Sequence, residues 1–351
     1  MRDDERIDPV RVGAALEGKM PGAHGVPEVL QFEGGKANLT YLVRYPREGG
    51  AGDHAVHEYV LRRPPLGPVA PKSHDMGREY KVLSVLHQRY ALAPQAFLFS
   101  EDTEVVGAPF LVMERREGIV IRQEIPGRFA GQPELTRRIS EMIVKALADL
   151  HQVNPQDIGL EDLGRPEGFM ERQVRGWAGR WEAAKTTEVP RFDEIRAWLE
   201  ANVPPPPRVS LVHNDFKLDN MMVGRDDPGT PVAVFDWDMC TLGDPLADLG
   251  TLLGYWTEPN DPEVRRAFPV MPSEQPGFQS RAEAVAQYAR ETGMDVSNIR
   301  FYEVFAIWKT AVVIQQIYVR WHRGQTKDDR FKTYGTRANA LIDAAFEVMA
   351  R

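Results

Sequence analysis

In the first third of the chain, apolar positions alternate with polar ones in short runs. Pro27–Phe32 (PEVLQF), Leu39–Tyr45 (LTYLVRY) and His57–Arg62 (HEYVLR) each read as a strand, separated by turns rich in glycine, proline and aspartate. The period then changes. Tyr80, Leu83 and Leu86–His87 recur at helical spacing within Gly77–Arg89, which predicts a helix. Ala96–Ser100 and Pro109–Glu114 return to strand. Three strands, a helix and two more strands make a small α+β domain over residues 1–115, not a doubly wound sheet.

From residue 116 to 351 the pattern is mainly helical. Leu135–His151 places Ile139, Met142, Ile143, Ala146, Leu147 and Leu150 on one face. Gly168–Lys185 spaces Met170, Val174, Trp177 and Trp181 in the same way. The prolines of 204–207 form a stiff spacer before a short strand, Val209–His213, and Val232–Phe235 is a second short strand. Helices are predicted at Ser280–Thr292, Ile299–Arg320 and Lys332–Met349. Phe305–Val319 is apolar, yet Lys309, Gln315 and Gln316 interrupt it, so a buried helix is expected and not a membrane span.

Composition narrows the function classes. With 43 basic and 51 acidic residues the formal charge is −8, which gives no global attraction to nucleic acid or to an anionic membrane. The single cysteine, Cys240, excludes an intrachain disulfide and a cysteine-based zinc cluster. It suits a reducing cytosol as a buried free thiol with no further role. The charged start MRDDERIDP lacks the apolar stretch of a secretory signal, so a soluble, cytoplasmic protein is expected.

The chemistry concentrates between Val212 and Gly250. His213-Asn-Asp215 is followed by Asn220, and Asp236-Trp-Asp238 follows an apolar strand. On residue type alone, Asp236 and Asp238 also suit a metal-dependent phosphohydrolase, a reading that leaves HNDFKLDN and the early glycines unused. The ordered pair of motifs resembles the aminoglycoside phosphotransferase and choline kinase superfamily, relatives of the protein kinases. The resemblance implies a protein-kinase-like bilobal fold, with a small antiparallel β lobe carrying one helix and a larger helical lobe. It also implies Mg²⁺ and ATP or GTP as phosphoryl donor. In that frame Asp215 accepts or orients the proton of a hydroxyl acceptor, and Asn220 and Asp236 hold the metal. Lys217 stabilises charge beside the base. His213 and Asp248 brace the loop, Asp244 caps the next helix, and Asp238 adds at most a secondary metal contact.

The smaller lobe should then hold the nucleotide. Glu33–Thr40 (EGGKANLT) stands where a phosphate loop belongs, with Gly34 and Gly35 admitting backbone N–H groups and Asn38 and Thr40 adding side-chain donors. Strand parity puts Val60 and Arg62 on one face and Tyr59 and Leu61 on the other. Arg62 thus stands where a kinase has lysine, Val60 lines the adenine pocket, and Glu79 is the natural partner of Arg62. The plainer readings are a strand-end surface arginine and a solvated helix glutamate, and Arg63 and Lys72 are the other candidate cations. Phe110–Arg115 resembles the interlobe linker, with Met113, Glu114 and Arg115 offering backbone groups to adenine.

Several details narrow the resemblance. GGKANLTY, YVLRRPP, SHDMGREYKVL, RQVRGW (Arg172–Trp177) and HNDFKLDN are together similar to the phosphotransferase-like domain associated with acyl-CoA dehydrogenases, over about Val26 to Met349. This implies a small-molecule kinase for a hydroxyacyl-CoA-type or other alcohol acceptor, acting alongside acyl-CoA dehydrogenases. Trp177, Trp181, Trp256 and Trp308 supply either an acceptor wall or core. Lys217 favours an anionic or neutral acceptor over a polycationic aminoglycoside. The alternatives are a non-catalytic nucleotide-binding module, to which the arginine at position 62 lends support, and an aminoglycoside O-phosphotransferase.

Overall fold

The alternating runs of the first third do form strands, each within two residues of its expected ends. The computed structural model describes residues 5–32, 38–46, 56–65, 75–267, 269–326 and 328–351. Its contacts divide the chain into two units, Met1–Glu117 with Ala233–Cys240, and Gly118–Val232 with Thr241–Arg351.

In the smaller unit, helix α1 (Pro9–Leu16) precedes strands β1 (Glu28–Gln31), β2 (Leu39–Pro46) and β3 (Val56–Arg63). Helix α2 (Met76–Leu86), strand β4 (Ala96–Ser100), the short helix α3 (Thr103–Val106) and strand β5 (Phe110–Glu114) follow. The strands form one sheet in the order β1-β2-β3-β5-β4, and every neighbouring pair is antiparallel. Leu39, Tyr41, Val43 and Tyr45 alternate into a core shared with Tyr59, Leu61 and Val112 and closed by Val12 and Leu16 of α1. Neither α1 nor α3 was expected from the hydrophobic pattern. Their signals are local: Asp8 caps α1 ahead of Pro9, and Asp102 caps α3. The core is what keeps so short a helix as α1 folded.

The larger unit contains α4 (Pro133–Gln152), α5 (Phe169–Ala184), α6 (Pro190–Ala201), β6 (Ser210–Val212), β7 (Met221–Val223), β8 (Pro231–Val234), β9 (Thr241–Gly243), α7 (Pro245–Tyr255), α8 (Glu263–Arg266), α9 (Arg281–Thr292), α10 (Ile299–His322) and α11 (Tyr334–Ala350). The unit boundary falls within β8. β6 pairs with β9, so the strand entering the HNDFKLDN loop is held by the one that follows the Asp236 motif. Helix α7 lies close against α10 because Gly250 has no side chain; a Cβ there would stand 2.6 Å from the Tyr302 carbonyl oxygen. Three of the four tryptophans weighed as acceptor wall are core. Trp256 and Trp308 are fully buried and Trp181 nearly so, and Trp181, Phe192 and Trp308 stack in series with centroids 4.3 and 4.8 Å apart. Trp177 alone remains partly exposed. No helix among the described residues is long and apolar enough to cross a membrane.

Candidate active site

Strand register decides which side chains of the smaller unit share a surface. Thr40 and Leu111 lie opposite Arg62, and Leu42 and Met113 lie opposite Val60. Because directly paired residues point the same way, Thr40, Val60, Arg62 and Met113 are on one face, away from the Tyr41–Leu61 core. Helix α2, capped by Asp75, delivers the buried Glu79 to Arg62, whose Nη1 donates to that carboxylate. Arg62 Nη2 also donates to Asp236 Oδ1 at 2.5 Å.

Asp236 belongs to the smaller unit through its own segment. The Val234 N–H donates to the Leu92 carbonyl at 2.7 Å, Arg78 Nε donates to the Cys240 carbonyl at 2.9 Å, and the buried Trp237 packs edge-on against Tyr90. The backbone at Asp236 is left-handed, with φ 69°. Among the described residues only Asn214, with φ 70°, is another non-glycine at positive φ. Both residues lie in the candidate catalytic motifs. A left-handed residue with a side chain costs roughly 1 kcal/mol or more, and such conformations persist where surrounding contacts enforce them.

The charges around Arg62 are unequal. Burial works against its ionisation, but Glu79, Asp236 and Asp238 outweigh it and raise its pKa. Burial pushes Glu79 up to about 7, with Arg62 opposing and both aspartates reinforcing. Glu79 Oε2 is buried with no hydrogen-bond partner. Two carboxylates, those of Glu79 and Asp236, thus hydrogen-bond one guanidinium.

Other expectations fall differently. Arg63 is buried on the core face, donating to the Tyr41 hydroxyl at 2.9 Å and to the Glu5 carbonyl at 3.0 Å, so it is a structural cation. Asn38 is buried just before β2. The Glu114 N–H donates to the Gln95 carbonyl at 2.8 Å and is already committed, while its carboxylate pairs with Arg116 at 2.9 Å. Arg115 is ion-paired with Glu58 and Glu117. Gly34, Gly35 and Lys72 lie outside the described residues.

In the larger unit the HNDFKLDN loop follows β6. Asp215 Oδ2 accepts from Lys217 Nζ at 2.5 Å and from Asn220 Nδ2 at 3.1 Å, and Oδ1 accepts from the Tyr255 hydroxyl at 3.0 Å. Asn220 Nδ2 also donates to the Asp215 carbonyl at 2.9 Å. With its NH₂ turned to these oxygens, Asn220 keeps its amide oxygen as the acceptor a hard cation requires. Among the described residues no three His, Cys, Asp or Glu side chains gather as a metal cluster.

Beneath the loop, the buried Asp248 accepts from the His213 N–H at 2.6 Å and the Asn214 N–H at 2.7 Å, with His151 Nε2 at 3.4 Å. Burial alone would raise the Asp248 pKa, but the His151 hydrogen bond, both histidines and the backbone donor hold it below the usual carboxylate range. Burial depresses His151, although Asp248 opposes. A neutral His151 donating from Nε2 accepts at Nδ1 from the Tyr288 hydroxyl, 2.7 Å away. The Asp215 N–H lies 3.3 Å from His213 Nδ1. Asp244 caps α7 through the Leu246 N–H at 3.0 Å and also accepts from Tyr302; burial lifts it to about 6.

Two residues here escaped the sequence reading. Tyr255 ends α7, and burial together with Asp215 raises its pKa well above that of a free phenol. Lys309 of α10 donates to the Asn214 carbonyl at 3.0 Å, and burial lowers its pKa. Asn214 is thus pinned on both sides, its N–H by Asp248 and its carbonyl by Lys309, which accounts for its left-handed backbone. The helical periodicity that buries Lys309 also concealed it.

Comparison with known proteins adds the family context. Residues 28–283 match the model of the phosphotransferase enzyme family. Acyl-CoA dehydrogenase family member 11 of Rattus norvegicus is 31% identical over 92% of this chain but only 41% of that protein. The chain spans about two fifths or less of the curated relatives it matches. A solved structure from Ralstonia eutropha, named as a candidate aminoglycoside phosphotransferase, has a TM-score of 0.81 at 26% identity and covers 98% of both chains. Choline kinase from Cryptosporidium parvum shares the fold, with a TM-score of 0.65, 13% identity and coverage of 98% of this chain and 97% of its own.

Proposed function

The chain belongs to the phosphotransferase enzyme family, and from that premise we propose that it is a magnesium-dependent small-molecule kinase. It transfers the γ-phosphoryl group of ATP or GTP to a hydroxyl acceptor. The observation that carries this reading is the Asp215 carboxylate, held by Lys217, Asn220 and Tyr255 in a loop whose backbone Asp248 fixes.

In the proposed reaction the acceptor hydroxyl gives its proton to Asp215 as its oxygen bonds to the γ-phosphorus. The bond from that phosphorus to the β-phosphate oxygen breaks, and the nucleoside diphosphate leaves. Lys217 offers positive charge beside the base. Arg62, oriented by Glu79, clamps phosphate oxygens with a planar fork where other kinases present a lysine point charge. Thr40, Val60 and Met113 face the nucleotide from the sheet, with Gly34, Gly35 and Asn38 as the phosphate loop and the backbone of residues 113–115 beside adenine. Asp236 and Asn220 hold magnesium, which when bound supplies charge neutralisation on the phosphates.

For the acceptor we favour an alcohol of hydroxyacyl-CoA type over an aminoglycoside. The acyl-CoA dehydrogenase family relatives point to it, as does Lys217 beside the base, and an acyl-CoA dehydrogenase is the partner those relatives suggest. One observation favours a second reading. The Arg62–Asp236 ion pair occupies the carboxylate that a metal needs, as in a nucleotide-binding module without catalysis.

Calorimetry with Mg·ATP and Mg·GTP on the wild type and Asp236→Ala tests both readings. Magnesium-dependent binding that weakens at least tenfold in the variant supports the kinase and justifies assaying hydroxyacyl-CoA thioesters against kanamycin-like compounds. Binding that needs no magnesium and ignores the mutation supports the module, and no binding at all sinks both.

A further inference from the structure

The exposed part of Trp177 lies between helices α5 and α10, and two cations attend its ring. The Arg180 guanidinium carbon is 4.2 Å from the ring centroid and Lys309 Nζ is 5.6 Å from it. Lys309 is partly buried, and among the described residues its one hydrogen bond is to the Asn214 carbonyl, leaving ammonium donors for a ligand. Neither Lys309 nor Arg180 has a carboxylate partner among the described residues. The charges of Asp215, Asp248, Lys217 and Arg180 all reach Lys309; Asp215 is already paired with Lys217, and Asp248 already accepts from two backbone N–H groups.

The helix surface beside them is open. On α5, a Cβ on Gly176, the residue before Trp177, would meet nothing within 4 Å. Glycine in a helix interior is unfavourable relative to alanine, and among the described residues no packing neighbour requires it at position 176. Unpaired cations beside an aromatic face, next to cleared space, form a recognisable arrangement. The ring offers a flat apolar surface and the cations a charge at its edge.

We propose that Trp177, Arg180 and Lys309 form a specificity site for an anionic group, carboxylate or phosphate, carried by the hydroxyl acceptor. The apolar part of the acceptor rests on Trp177, and its negative group meets Arg180 and Lys309. This rests on the kinase reading and deepens it, because it assigns the acceptor a charge. It also gives Lys309 and Arg180, which have no carboxylate within ion-pairing distance among the described residues, a partner that arrives with the substrate.

A matched series tests it: 6-hydroxyhexanoate, 6-hydroxyhexyl phosphate, 1,6-hexanediol and 6-amino-1-hexanol, which differ only in the group at one end. Binding to the full chain is measured by calorimetry with and without Mg·ATP, and phosphorylation is followed in parallel. The two anions should bind at least tenfold tighter than the diol, with the amine weakest, and their ranking shows whether carboxylate or phosphate fits better. Arg180→Gln should remove most of the preference and Arg180→Lys restore part of it, a rescue that a merely structural role would not give. Equal binding of anion and diol, a preference untouched by Arg180→Gln, or no binding of any member overturns the proposal. Mg·ATP binding reports separately on the kinase reading. If it fails while the anion preference holds, only the kinase reading falls; if it holds while the preference is absent, only the anion site falls.

Discussion

Around Asp248 in the larger unit both carboxylate oxygens have N–H donors. Around Arg62 in the smaller unit the Glu79 and Asp236 carboxylates hydrogen-bond one guanidinium, and Glu79 Oε2 is buried with no donor among the described residues. Glu79 and Asp248 are both buried and each cluster holds a candidate catalytic segment, so burial of the central carboxylate does not separate them. Satisfaction does. A buried polar network with every group paired specifies one geometry, whereas one with surplus charge is costly until something joins it. The first suits a loop that must present Asp215 in a fixed place, and the second suits a site completed by a metal and a nucleotide.

The largest expected effect removes the base and leaves both clusters intact. Asp215→Asn keeps the shape of the side chain and loses its charge and proton acceptor, so phosphoryl transfer should fall about 10²- to 10⁴-fold. Mg·ATP affinity should change far less. Steady-state kinetics beside calorimetry separates the two, and parallel losses in both would mean that Asp215 holds the nucleotide and not the acceptor.

Next comes the comparison itself. Asp248→Ala strips partners from two backbone N–H groups and His151, and breaking a buried charged network of this kind costs about 3–5 kcal/mol. Amide exchange at residues 213–214 should accelerate accordingly, with activity lost even if the chain stays folded. Glu79→Ala leaves Arg62 its Asp236 partner and relieves a surplus negative charge, so exchange in α2 should rise much less. Equal losses would remove the distinction between a satisfied and an unsatisfied cluster.

Acidity should move the two clusters in opposite directions. His151 is kept neutral by burial, so on unfolding it takes up a proton that the folded unit refuses. His151 therefore stabilises the larger unit above about 6.5, the ordinary histidine value, and that contribution is lost as pH falls below it, while Asp244, lifted to about 6 by burial, works the other way at lower pH. Folded Glu79 retains its proton up to about 7, against 4.5 when unfolded, so the smaller unit weakens as pH rises between those values. Amide exchange in α4 and α2 at pH 5, 6 and 7, corrected for intrinsic rates, reads both. His151→Gln and Glu79→Gln should each flatten only its own slope.

These clusters were unequally legible in the sequence. Parity along EYVLR placed Val60 and Arg62 on one face, and the Arg62–Glu79 pair followed from its match to a kinase strand and helix. The spacing in HNDFKLDN gathered Asp215, Lys217 and Asn220 because a short loop can bring only near neighbours together. Tyr255 and Lys309 come from the far end of α7 and the middle of α10, and nothing in their local sequence announces a contact with residues 214 and 215. Asp236 illustrates the same limit. Its residue type was readable, but its anchoring through Leu92 and Arg78 depends on pairings more than a hundred residues apart. Helices α1 and α6 were missed because short amphipathic segments depend on tertiary burial more than on their own propensity.

The smallest effect tests where Tyr255 belongs in the comparison. Its hydroxyl donates to Asp215 Oδ1, while Lys217 and Asn220 serve Oδ2, so Tyr255→Phe removes one of three donors and no backbone contact. A hydrogen bond to a charged group is worth about 1.5–3 kcal/mol, and the remaining donors together with water at a partly exposed carboxylate offset some of that. The expected loss in kcat/KM is near the lower end, roughly tenfold. Exchange at residues 213–214 should be unchanged, because Asp248 and not Tyr255 holds those amides. The backbone around Tyr255 should hold as well, since Arg265 donates to the Leu253 carbonyl at 3.2 Å and Arg281 to the Trp256 carbonyl at 2.8 Å. If Tyr255→Phe instead loosened the loop as much as Asp248→Ala, the phenol would be part of the scaffold, and the satisfied cluster would extend up to the base itself.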